Sequence, residues 1–105
     1  MKQDNILSLL GIAAKARKVV SGESMTEQAV KESRAYLVVV AKDASENTKK
    51  LFRDKCKFYE TAIVFYGSRE SLGHCIGKTF RASLAIVDEG LAQAVQKKIA
   101  QQTTE

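Results

Sequence analysis

The stretch Tyr36 to Ala41, YLVVVA, constrains the fold more than any other part of this chain. A continuous β-branched run offers no polar side to water, so it fits a strand covered on both faces. Such a strand needs helices above and below it, and the flanking sequence supplies them. Upstream, Ile6, Leu9, Leu10, Ala13 and Ala14 fall on one helical stripe behind an N-cap at Asp4 or Asn5, and Val19-Val20 forms a short strand. A second helix runs from Ser24 to about Ser33.

Downstream, the spacing predicts a helix through Leu51, Phe52, Lys55 and Phe58 or Tyr59, then a strand over Thr61 to Tyr66. Gly67-Ser68 opens a short helix and Gly77 ends it. Ser83 to Val87 is the last strand, and Asp88 caps a helix carrying Leu91, Ala94, Val95 and Ile99, with a frayed tail over Gln101 to Glu105. This alternation places the chain in the α/β class. It predicts a three-layer α/β/α sandwich around a mixed, mainly four-stranded sheet, as a single domain over residues 1–105. A chain of 105 residues with 45% hydrophobic content can bury such a core without disulfide or metal staples.

The junction KVVSGESMTEQAVK, Lys18 to Lys31, joins strand to helix and is a candidate ligand site. Gly22 suits a turn at positive φ, and Ser24-Met25-Thr26-Glu27 has the spacing of a capping box. Lys15, Arg17 and Lys18 stand just upstream, where they would favour a phosphate or a nucleic-acid backbone at the helix start. Asp43 and Glu46 offer a second capping box for the next helix, which is strongly basic through Lys49, Lys50, Arg53, Lys55 and Lys57. The ordinary reading of that run is a solvated face. The net charge of +5 favours a polyanionic partner such as RNA, DNA or an anionic surface.

Signals for catalysis are weak. His74 and Cys75 are adjacent, so on a helix their side chains point about 100° apart and do not face one another as base and nucleophile. One histidine and two distant cysteines, Cys56 and Cys75, do not make a metal set. Gly67, Gly73 and Gly77 lack dinucleotide-fingerprint spacing, and there is no phosphate loop or nucleophile elbow. The expectation is a binding protein, not an enzyme, without cofactor or metal. Free thiols, no leader pattern and no apolar stretch of membrane-spanning length point to a cytoplasmic protein with no membrane partner, working as a monomer.

Four segments, LLGIAAKARKVVSGE, AYLVVVAKDASENTKK, SLGHCIGK and SLAIVDEG, together resemble the L7Ae family of kink-turn-binding ribosomal proteins, which includes L30e, and especially its small bacterial branch. The resemblance runs from about Ile6 to Ala94. It implies an α/β/α sandwich that binds structured RNA, rRNA or a kink-turn-like motif, in association with the ribosome or translation. In that family the turn and helix start after the first strand enter the RNA groove and read sheared G·A pairs, and the loop before the last strand packs on an extruded base. Gly22, Glu23, Ser24, Met25 and Gln28 occupy the first place here. Thr79, Phe80 and Arg81 occupy the second, with Lys15, Arg17, Lys18 and Lys78 as flanking cations.

RNA-binding relatives typically carry an Asn-Glu pair at Ser24 and Met25 and a lysine at Gln28. Met25 cannot accept a hydrogen bond from a base as a carboxylate does. The resemblance therefore leaves two readings: binding of structured RNA, or a protein-interaction adaptor on the same scaffold, with Met25 and Phe80 as apolar anchors and kink-turn recognition weakened or lost.

Overall fold

The computed structural model describes residues 4–103. Among them the elements run α1 (Asn5–Lys15), β1 (Val19–Ser21), α2 (Glu23–Lys31), β2 (Leu37–Val40), α3 (Glu46–Phe58), β3 (Ile63–Phe65), α4 (Arg69–Cys75), β4 (Ser83–Ile86) and α5 (Glu89–Thr103). The strands form one four-stranded sheet in the order β1-β4-β2-β3. β4 pairs antiparallel with both β1 and β2, whereas β2 and β3 are parallel, so the sheet is mixed as expected. The two interior strands, β2 and β4, are buried at every residue, which is the physical meaning of the VVV run. Helices α2 and α3 pack on one face, and α1, α4 and α5 on the other. The core joins both layers, with Ile6, Leu10 and Leu72 from one side and Val30 and Phe52 from the other. Each such side chain contributes about 1.5–3 kcal/mol on burial.

Caps explain where the helices start, and two of them differ from expectation. Asp4 accepts from the N–H of Leu7, Ser68 and Ser71 form a reciprocal capping box, and Asp88 accepts from Leu91. The box at Ser24 does not form. The N–H of Gly22 bonds the carbonyl of Ser83, extending the β1–β4 ladder, and the carbonyl of Gly22 accepts from Thr26, so the N-cap falls at Gly22, two residues before Ser24, and α2 begins at Glu23. Ser24 is thereby inside the helix, and Gly22, at φ 92°, is an N-cap with no side chain. The box at Asp43 and Glu46 does not form either, because Ser45 is the N-cap and accepts from Thr48. The Asp43 carboxylate instead accepts from the N–H of Arg69, at 2.8 Å.

The last turn also departs from expectation. Gln101 and Gln102 do not fray but continue α5 to Thr103, since this end of the helix lies against the start of α1, flanking Asn5 and Ile6. Residues 104 and 105 of the expected tail lie outside the described residues.

The helix ends share one device. After α1, α2, α3 and α4 the chain turns through a left-handed residue, at Arg17, Ser33, Glu60 and Gly77. In each, the N–H of that residue and of the next reach back to helix carbonyls, as from Arg17 to Ala14 and Lys18 to Ala13. This is a Schellman turn, usually built with glycine, and here it has glycine only after α4.

Candidate nucleic-acid interface

The start of α2 and the loop between α4 and β4 come together at the β1–β4 end of the sheet. Ser21 lies opposite Leu84 in the ladder, and Gly22 bonds Ser83, so the residues on either side of these pairs are neighbours by construction. Two buried hydroxyls strengthen the junction: Ser83 donates to Thr26 at 3.4 Å, tying the first residue of β4 to the first turn of α2. At that turn the N–H groups of Glu23, Ser24 and Met25 meet no side-chain cap among the described residues. They face outward as a positive helix terminus.

The second loop is held closely. The N–H of Lys78 bonds Gly73 and that of Arg81 bonds Arg69, while the carbonyl of Ala82 accepts from Ala41. Gly73 sits so near this loop that a Cβ on it would lie 2.0 Å from the carbonyl oxygen of Thr79. Only a residue without a side chain allows α4 and the loop to approach this far. The Phe80 ring is held outward by this frame and is 65% exposed.

The expected site residues are not all equally placed. Glu23, Ser24, Met25, Thr79 and Phe80 are exposed around the junction, with Met25 48% exposed. Gln28 is exposed too, but its amide donates to Glu32 at 2.9 Å. Hydrogen bonds from Gln28 and then Arg34 hold the Glu32 carboxyl below its usual range. Arg81, expected to pair with a phosphate, is half-buried and turned inward. Its Nε donates to Ser21 and its Nη1 to the carbonyl of Phe80. Sequence reasoning missed Ser21, Asp43, Arg69 and Gly73 as parts of this frame; the motif signal at Asp43 was visible but was assigned to a cap.

The cations are also sorted by the fold. On α3, Lys49 pairs with Glu46, Lys50 with Asp54 and Lys55 with Glu27, and Arg53 lies over the Phe65 ring at 5.6 Å. Three of the five cations of that run are thus ion-paired, two within α3 and one to α2. Lys15, Arg17, Lys18 and Lys78 are exposed, and among the described residues none of them has an ion-pair partner within 4.0 Å. Among the described residues no group of three or more His, Cys, Asp or Glu side chains is placed to hold a metal, and no helix is long and apolar enough to cross a membrane.

The model of the ribosomal protein L7Ae/L30e/S12e/Gadd45 family matches residues 4–96. The RNA-binding protein YlxQ of Bacillus subtilis (strain 168) is 45% identical over 84 residues, which cover 80% of this chain and 84% of that protein. The large ribosomal subunit protein eL30 of Methanoregula boonei is 37% identical over 89 residues, covering 82% and 88% respectively. Among solved structures, a protein of unknown function from Bacillus halodurans C matches with a TM-score of 0.90 at 36% identity, over 93% of this chain and 99% of that one.

Proposed function

The chain belongs to the ribosomal protein L7Ae/L30e/S12e/Gadd45 family, and on that premise we propose that it binds structured RNA, without turnover, through the junction of α2 with the α4–β4 loop. The supporting observation is the helix start at Glu23, Ser24 and Met25, whose N–H donors lack a capping side chain. It stands beside an exposed aromatic ring and a group of unpaired cations. Backbone donors and cations hold phosphates, whereas an exposed ring stacks on an unpaired base; that combination suits irregular RNA better than a regular duplex.

In this reading the start of α2 enters the groove of a kink-turn-like element, Ser24 and Gln28 hydrogen-bond to base edges, and Phe80 stacks on an extruded base. Met25 contributes an apolar contact. The protein acts as a single-domain monomer on rRNA or another translation-associated RNA in the cytoplasm. The adaptor reading rests on the same exposed Met25 and Phe80, but the relatives named for RNA or for the ribosome weigh toward RNA.

The test is a titration of a kink-turn RNA and a straight duplex at two salt concentrations. Tighter binding of the kink-turn at both is expected. Four phosphate contacts would give a slope of log affinity against log salt of about −3 to −4. Equal binding of the two RNAs, abolished by modest salt, would reduce the site to a nonspecific basic surface.

A further inference from the structure

A recess of about 320 Å3 opens where α1 and α4 meet the edge strand β1. Most of its lining is polar, with Arg17, Lys78 and the hydroxyl-bearing Ser21, and Ala14, Val19 and Ile76 supply an apolar wall. The volume is at the lower end of the range of about 300–1,000 Å3 typical of small-molecule pockets. Both cations follow helix ends through left-handed turns, at Arg17 itself and at Gly77, which carry them off their helix axes. They are part of the group without ion pairs, in contrast to the compensated cations of α3.

The electrostatics favour an anion despite the helix ends. α1 and α4 both terminate here, and each contributes about half a negative charge. Four full cations, Lys15, Arg17, Lys18 and Lys78, outweigh that. Continuity points to the anion's source. Ser21 lines the recess and also immediately precedes Gly22 at the junction, so a strand leaving the α2 start over the edge strand β1 arrives at this opening.

We propose that the recess takes one unpaired nucleotide of the bound RNA, with its base or ribose against Ala14, Val19 and Ile76 and its phosphate between Arg17 and Lys78. This rests on the RNA reading above and adds a second contact to it. A paired base has both faces in the stack and cannot lie on a protein wall; an unpaired one can. The side chains of Ala14, Val19 and Ile76 carry no hydrogen-bonding group, so they hold a base or ribose by packing alone and do not select among bases, as in sequence-tolerant single-strand sites.

The test is nuclear magnetic resonance of the methyl-labelled full chain titrated with hexauridylate, a straight RNA duplex, inorganic phosphate and a kink-turn RNA. Hexauridylate should shift the Val19 and Ile76 methyls at lower concentration than the duplex does. Ile76→Ala should weaken hexauridylate several-fold and leave the duplex unchanged. Because Ile76 also touches the core, the exposed pair Arg17→Ala, Lys78→Ala provides a second variant, expected to lower hexauridylate affinity about tenfold and to remove about one phosphate from the salt dependence. Methyls unmoved by hexauridylate, or moved equally by inorganic phosphate, would overturn the proposal. The kink-turn RNA separates the two readings: amide shifts over Gly22 to Gln28 with silent recess methyls would sink only the recess, and silence at both would sink the RNA reading with it.

Discussion

The Nε of Arg81 donates a hydrogen bond of 3.1 Å to the hydroxyl of Ser21, across 60 positions of sequence. The same guanidinium donates to the carbonyl of Phe80 at 2.8 Å, and the Arg81 N–H bonds Arg69, whose own N–H is bonded by Asp43. Arg81 thus fastens the α4–β4 loop to the end of β1.

From this contact Ser21→Ala should lose about 0.5–1.5 kcal/mol of stability, the net worth of one hydrogen bond. It should weaken kink-turn RNA several-fold by loosening the loop, and leave the salt slope unchanged. Arg81→Lys, which keeps the charge but loses the fork, should behave alike and not add to Ser21→Ala. Affinities at several salt concentrations check this. A slope shallower by about one phosphate in Arg81→Ala would make Arg81 a backbone contact instead.

Gly73→Ala should be destabilising by roughly 1–3 kcal/mol or more, since the new Cβ meets a backbone carbonyl that cannot rotate away. Urea unfolding measures the loss. Gly90→Ala is the control: its nearest neighbour would be 3.6 Å away, and alanine is the better helix former.

Three left-handed turns lack glycine, and each should be improved by it. Ser33→Gly and Glu60→Gly should gain roughly 0.5–1 kcal/mol, because relief of about 1–2 kcal/mol of backbone strain is partly offset by glycine's greater freedom when unfolded. Arg17→Gly should gain similarly in stability yet lose RNA affinity. Thermal melts paired with titrations would show whether the two effects separate at position 17 alone.

Burial pushes the thiols of both Cys56 and Cys75 up to about 11, with the Asp4 charge adding to the effect at Cys75. Both stay protonated in the fold at pH 8 and should resist alkylation until urea exposes them. The linkage follows in sign. Above an unfolded value near 9.0 the unfolded chain releases these protons and the folded one does not, so stability should fall as pH rises from about 9 to about 11. Urea midpoints across that range, compared with Cys56→Ala and Cys75→Ala, measure it; pH-independent midpoints in the parent protein would contradict the assignment.

Much of the fold was legible. The YLVVVA run marked an interior strand, helical stripes marked the helices of both layers, and Asp4, Ser68 and Asp88 announced their own helix starts. Of the candidate site, the sequence marked the segments but not their contacts. The Ser24 box failed even though its spacing was right, because a hydrogen bond from Gly22 to Ser83 on a distant strand set the helix start two residues earlier. Arg81 and Gln28 looked like free polar side chains, yet each has a partner in the fold.

Periodicity and turn chemistry determined the elements and their layers, because these depend on side chains one helical turn or two strand positions apart, whereas the family showed only in the resemblance of four particular segments. The tertiary structure alone decided which donors and cations face solvent. Ser21 and Arg81, Asp43 and Arg69, and the recess between Ala14 and Ile76 are each made by residues far apart in the chain. Their meeting is set by strand order and helix packing, and no local pattern encodes it.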